Sequence, residues 1–306
     1  MTDLATYALG VEVVLLVGGF AYAAVADWRE REVTDALWQI LGVAGFLIGF
    51  VAVAPGGWVP SILWLVVGLF VLEHLFAWDV RLGTRGEAYA DLIELAVYVA
   101  VVVVIGVAIA RIGIGASAVP VPVIAVLVSV LFARGLFEAG ILYGGADAKA
   151  LMIAGLLVPM FPNPWIAPPA PIAPVTVILP FAVNVLMNSA LFSIAVPVAV
   201  AVRNLRAKEF TGFSSFVGYS IPVEELPRKF VWVRDPMFGP GREEEMTIET
   251  SEDDRRRRVE IAEELKSRGV ARVWVTPQIP FLVVMAFGVV GALVAGNVLF
   301  DLIFRL

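Results

Sequence analysis

Long apolar stretches separated by short polar ones dominate this chain, and their lengths set the first expectation. A hydrocarbon layer of about 30 Å needs about 20 helical residues to cross it. By that measure spans are predicted at residues 4–26, 36–54, 58–78, 88–110, 119–138, 146–161, 172–202 and 280–304, eight in all. The sixth is short. The seventh is long and holds Pro180 and Pro197, which membrane helices tolerate because neighbouring groups satisfy the freed carbonyls. The first stretch has no basic cluster ahead of it and no polar cleavage segment behind it, so it reads as a retained anchor. No internal repeat is evident.

One segment breaks the pattern. Across residues 203–277, short aromatic or β-branched runs (FVWVRD, ARVWVTP) alternate with turns at Gly239, Pro240 and Gly241. A charged stretch from Glu252 to Arg268 follows, with Val259, Ile261, Ala262 and Leu265 at helical spacing. The fold class expected is therefore an all-α polytopic membrane protein of about eight transmembrane helices, with a small cytoplasmic α+β insertion before the last helix. Its divisions are a membrane core at 1–202, the insertion at 203–277 and a final transmembrane helix at 278–306.

Composition confirms the solvent. With 306 residues, 60% hydrophobic and 16% charged, and a mean hydropathy of +0.89, the chain has more apolar surface than one water-soluble core would bury. Orientation follows from the basic residues: with the N-terminus outside, Arg29, Arg31, Arg81, Arg85, Arg134, Lys149 and the whole insertion face inward, leaving only Arg111 and Arg305 outside. Acidic and basic residues cancel within the insertion, which argues against a nucleic-acid partner. The run Arg255 to Arg258 reads as a solvated helix face rather than a lipid-headgroup contact. Cysteine is absent and His74 is the single histidine, so no thiolate, disulfide or HExxH metal site is expected, and no cofactor is called for.

The chemistry is left to carboxylates. Asp27 (ADWREREVTD) and Asp147 (YGGADAKAL) each sit where an apolar run meets a polar segment on the inward side, and an ionisable group at such a place needs a function or a partner. Gly144 and Gly145 let a backbone approach the start of the helix carrying Asp147, where free amides are exposed; the alternative for Asp147 is a helix cap. Asp27 falls at a helix C-terminus, the unfavourable end of the dipole for a carboxylate. Thr34 or Asp35 is expected to cap the next helix. Glu30 and Glu32 are candidates to meet basic residues of a substrate, or else partners of Arg29 and Arg31 in a neutral loop. Glu73, His74, Asp91, Glu94 and Glu138 are expected at the interface or paired across helices. Asn184 and Asn188, one turn apart, are expected to bond a neighbouring helix.

Asp27-Trp-Arg-Glu-Arg-Glu-Val33-Thr34-Asp35 resembles the D-x-R-x-x-x-I-P-N pattern of type IV prepilin peptidases, and Gly144-Gly-Ala-Asp147-Ala-Lys149 resembles their GxGDxK signature. Thr276-Pro277-Gln-Ile-Pro280-Phe281 is similar to the family's late Pro-Phe segment. The insertion adds nothing to the resemblance. Ala146 replaces the second glycine of GxGD, Thr34 the proline and Asp35 the asparagine, and no cysteines are present for the paired-cysteine N-terminal domain of bacterial members; these departures point to the archaeal branch, which processes archaellin and pilin precursors. The resemblance implies a plasma-membrane aspartic endopeptidase with Asp27 and Asp147 as its catalytic pair, supported by Gly144, Gly145 and Lys149. Its partners would be precursor pilins and archaellins, and the lipid bilayer, with cleavage on the cytoplasmic side. Lys149 would bias the pair or steer the peptide, or serve as an inward-side anchor. A proton-coupled transporter and a presenilin-type protease are the alternatives, although no later Pro-Ala-Leu follows.

Overall fold

The computed structural model describes residues 2–76, 84–142, 144–160, 178–234 and 251–305. The helices are α1 (Thr2–Glu30), α2 (Asp35–Val53), α3 (Trp58–Phe76), α4 (Thr84–Ile112), α5 (Val121–Glu138), α6 (Gly145–Leu157), α7 (Phe181–Ser193) and α8 (Ala195–Ala207). Strands β1 (Tyr219–Pro222) and β2 (Val231–Val233), helix α9 (Ser251–Ser267), strand β3 (Arg272–Pro277) and helices α10 (Phe281–Ala295) and α11 (Val298–Arg305) complete the order. Contacts divide the chain into two compact units, one of residues 1–25, 33–191 and 282–306, the other of residues 26–32 and 192–281.

Six stretches of described helix are long and apolar enough to cross a membrane: Gly10–Glu30, Asp35–Gly56, Trp58–Phe76, Leu92–Ile112, Val121–Glu138 and Phe181–Ala207. Eight spans are not confirmed among the described residues, where two of the expected ones fall short for physical reasons. Helix α6 has only 13 residues, about 20 Å at 1.5 Å per residue. The expected last span is two helices, because the chain turns at Gly296, whose φ of +72° belongs to glycine. The beginning of the expected seventh span lies outside the described residues.

In the first unit, α2 packs on both α3 and α6, and α5 packs on α6. Small residues make the approach possible. A β-carbon on Gly45 would lie 2.9 Å from Leu157 Cδ2, and one on Gly49 would collide with the Trp64 indole. That indole donates to the Phe46 carbonyl at 2.9 Å, which gives the buried N–H of Trp64 its partner. Helix α6 lies at the centre: every residue from Ala148 to Leu157 is buried.

The break between α10 and α11 is closed by side-chain amides. Asn188 donates to the Gly296 carbonyl at 2.8 Å and accepts from the Val298 N–H at 2.9 Å. Asn297 accepts from the Phe300 N–H at 3.0 Å, capping α11, and donates to Asn184 at 3.0 Å. The two asparagines of α7 thus bond a neighbouring helix, as their spacing predicts. Among the polar groups of α3 to α5, two pairs cross between helices: Arg134 of α5 bridges Glu94 of α4 at 3.1 Å, and His74 of α3 meets Tyr98 of α4. Glu138 pairs with Arg134 at 2.6 Å within α5 and Glu73 with His74 at 3.0 Å within α3.

The second unit contains a three-stranded antiparallel sheet in the order β1-β3-β2, with Ile221 opposite Val273 and Trp232 opposite Thr276. The aromatic and β-branched runs FVWVRD and ARVWVTP supply β2 and β3, as their alternation predicts. The expected turn at Gly239 to Gly241 lies outside the described residues. Ile221, Val231, Val273 and Val275 form a core with Ala262 and Leu265 of α9. Asn204 at the end of α8 donates to the carbonyls of Ser215 and Gly218 at 2.8 and 2.7 Å, anchoring the approach to β1. The basic run on α9 departs from the expected solvated face. Arg255 and Arg256 are exposed, but Arg258 is only 4% exposed.

Candidate active site

The start of α6 gathers four of the five residues singled out from the sequence. Gly144 is the N-cap with an extended backbone, φ −96° and ψ 126°, and its carbonyl accepts from the Asp147 and Ala148 N–H groups at 3.1 and 3.3 Å. Asp147 stands at the third helical position, not at the cap. A β-carbon on Gly144 would lie 2.9 Å from Asp147 Oδ2, so the glycine leaves room for a carboxylate folded back toward the N-terminus. Free amides and the positive end of the helix dipole favour a negative charge there. Asp147 is partly exposed while the helix beyond it is buried.

Lys149 corrects one expectation and Asp35 another. The lysine side chain is 3% exposed and its Nζ lies 2.6 Å from Asp35 Oδ1, so Lys149 is no surface anchor. Thr34 occupies the N-cap of α2 but makes no side-chain cap bond, and Asp35 turns instead to the lysine 114 residues away. Neither fills the predicted cap. The physical reason is that a buried ammonium outcompetes backbone amides for a carboxylate, since leaving it without one is costly. Asp35 was therefore a missed member of this cluster. The only hint in the sequence was that Asp147, two positions from Lys149, lies on a different face of the helix, which leaves the lysine to seek an acid on another element.

Asp27 belongs to the second unit and Gly144, Gly145, Asp147 and Lys149 to the first. Asp27 sits in the last turn of α1, partly exposed, and its carbonyl accepts from the Arg31 N–H at 3.1 Å. Arg31 has a left-handed backbone, φ +59°, and its guanidinium lies 5.1 Å from the centre of the Phe230 ring. Desolvation lowers the Arg31 pKa, opposed by the attraction of Asp27. Glu30 and Glu32 are exposed.

Residues 212–298 match the family model described as the archaeal peptidase A24 C-terminus, type II. The match supports membership of the prepilin/preflagellin peptidase family. This family name implies a peptidase. It also corrects the view that the insertion adds nothing to the resemblance, because the matched region contains the three described strands, α9 and α10. An uncharacterized protein of Methanocaldococcus jannaschii is 24% identical over 286 residues, covering 93% of this chain and 91% of the relative. The match to the A24 peptidase C-terminus favours neither the transporter nor the presenilin-type alternative.

Proposed function

We propose that this chain is an aspartic endopeptidase that removes short basic leader peptides from type IV pilin-like and archaellin precursors at the cytoplasmic face of the plasma membrane. The observation that carries the reading is the match of residues 212–298 to the A24 peptidase C-terminus. The two sequence signatures around Asp27 and Asp147 supply the chemistry. Asp147 stands on a buried helix with its carboxylate at the N-terminal, polar end, and Lys149 holds that end against Asp35. In the proposed reaction Asp27 and Asp147 converge on one water. Two carboxyls that close cannot both ionise readily, so one serves as base while the other keeps its proton. The base takes a proton from water as the oxygen attacks the scissile carbonyl, and the acid protonates the departing amine. Gly144 and Gly145, lacking side chains, leave room for the precursor backbone.

The test uses membranes holding the full chain and a precursor pilin. Asp27→Asn and Asp147→Asn should each slow cleavage by about 10²–10⁴-fold, whereas Glu138→Gln leaves it within about twofold. The absence of native cysteine permits a second measurement, spin labels at positions 27 and 147. A separation well beyond about 15 Å in the substrate-bound protein defeats the pairing, because one water must reach both groups.

A further inference from the structure

Residues 26–32, the last turn of α1 and the loop that follows, form one compact unit with residues 192–281. Arg31 closes that turn in a left-handed conformation, φ +59°, with its N–H on the Asp27 carbonyl. A helix end of this shape ordinarily carries glycine, because a β-carbon is crowded there. The arginine side chain explains the exception. Its guanidinium lies over the Phe230 ring, and its Nε and Nη1 are buried with no hydrogen-bond partner among the described residues. The aromatic face is what receives them.

Phe230 is itself held in place. Its carbonyl accepts from the Gln278 N–H at 3.0 Å, beside the pairing of β2 with β3, and the guanidinium of Arg258 lies 5.3 Å from the same ring. Two cations on one ring repel each other, so the arrangement needs enforcement by the surrounding fold. The attraction between Arg31 and Asp27, one turn apart, runs the other way and favours both charges.

We propose that Arg31 is a positioning residue that clamps the final turn of α1 to Phe230 of the insertion and thereby sets the direction of the Asp27 carboxylate. The inference rests on Asp27 being catalytic, as proposed above. It gives the insertion a task, since the matched A24 region supplies the ring against which one half of the catalytic pair is held.

The experiment compares Arg31→Gly, Arg31→Lys, Phe230→Leu and the Arg31→Gly/Phe230→Leu double variant in the detergent-solubilised full chain. Glycine suits the left-handed backbone, so the first variant stays folded. Amide hydrogen exchange at residues 26–31 should rise by about tenfold or more in Arg31→Gly and in Phe230→Leu. Cleavage of a precursor pilin should show kcat lowered by about tenfold with KM within about twofold. Arg31→Lys should recover part of kcat, since it keeps a cation for the ring. The double variant should be no slower than the worse single one, because both break the same contact. Unchanged exchange, unchanged kcat or additive losses would each overturn the proposal. If Asp27→Asn cleaves at the full rate, the catalytic assignment fails instead, and the exchange measurement still reads the clamp by itself.

Discussion

Neutralising Asp35 probes how the start of α6 is held. The Lys149 side chain is 3% exposed, the Asp35 side chain 39%, and the two meet at 2.6 Å. Unit charges about 4 Å apart attract by about 4 kcal/mol at an effective dielectric constant near 20. Much of that is cancelled, because the half-exposed carboxylate is screened and both groups lose hydration on folding. What remains is the loss of a charged acceptor by a buried donor, about 1–3 kcal/mol. Asp35→Asn keeps the size and one oxygen while removing the charge; Lys149→Met keeps the apolar stem while removing the ammonium. Each should lower the unfolding free energy by about 1–3 kcal/mol, and the double variant by clearly less than the sum. The assay is a double-mutant cycle in mixed micelles, with unfolding driven by SDS and followed by tryptophan fluorescence. A coupling energy under about 0.5 kcal/mol would show that the contact contributes nothing specific and would refute the reasoning.

Two further outcomes follow from packing. Asn188→Ala leaves the Gly296 carbonyl and the Val298 N–H without their amide partners and should cost about 1–3 kcal/mol; Ser189→Ala, which removes a bond only to its own helix at Val185, should cost under about 0.5 kcal/mol, and equal losses in the same SDS titration would contradict the bridging role. Gly49→Ala drives a methyl into the Trp64 indole and should destabilise by about 1–3 kcal/mol, whereas Gly18→Ala meets nothing within 4 Å and should be neutral or gain up to about 1 kcal/mol of helix propensity. The reverse order of midpoints would sink the packing argument.

The sequence made some of these features legible and hid others for physical reasons. Asn184 and Asn188 were readable because polar groups one turn apart in an apolar helix have few satisfactory partners apart from another helix. The strands β2 and β3 were readable from alternation over several residues, while β1, four residues ending in proline, is too short to carry a period. Hydropathy alone saw one long final span; it does not register that Gly296 and Asn297 stop one helix and start another, since their neighbours are apolar on both sides. It also counted α6 as a crossing although the helix is only 13 residues long. At the candidate site, Asp147 and the glycines before it were found by spacing. The partner of Lys149 was not, because an ion pair between residues 114 apart depends on how α2 and α6 pack. Arg258 was read as part of a solvated face and Arg31 as part of a neutral loop; the burial of Arg258 and of the Nε and Nη1 of Arg31 depends on Phe230, which only folding brings to them. Glu12, 6% exposed, escaped notice as one acid within a long apolar run.

The enclosure of α6 also determines what can reach it. A helix whose residues from Ala148 to Leu157 are all covered by protein presents nothing to acyl chains, so the bilayer exerts no direct force on its depth or tilt. Thickening or thinning the lipid acts first on the outer faces of α2 and α5, which pack on it, and is passed on only as those helices shift. The polar tip of α6 is thus referenced to its protein neighbours rather than to the water line, which lets a single geometry persist in membranes of different thickness.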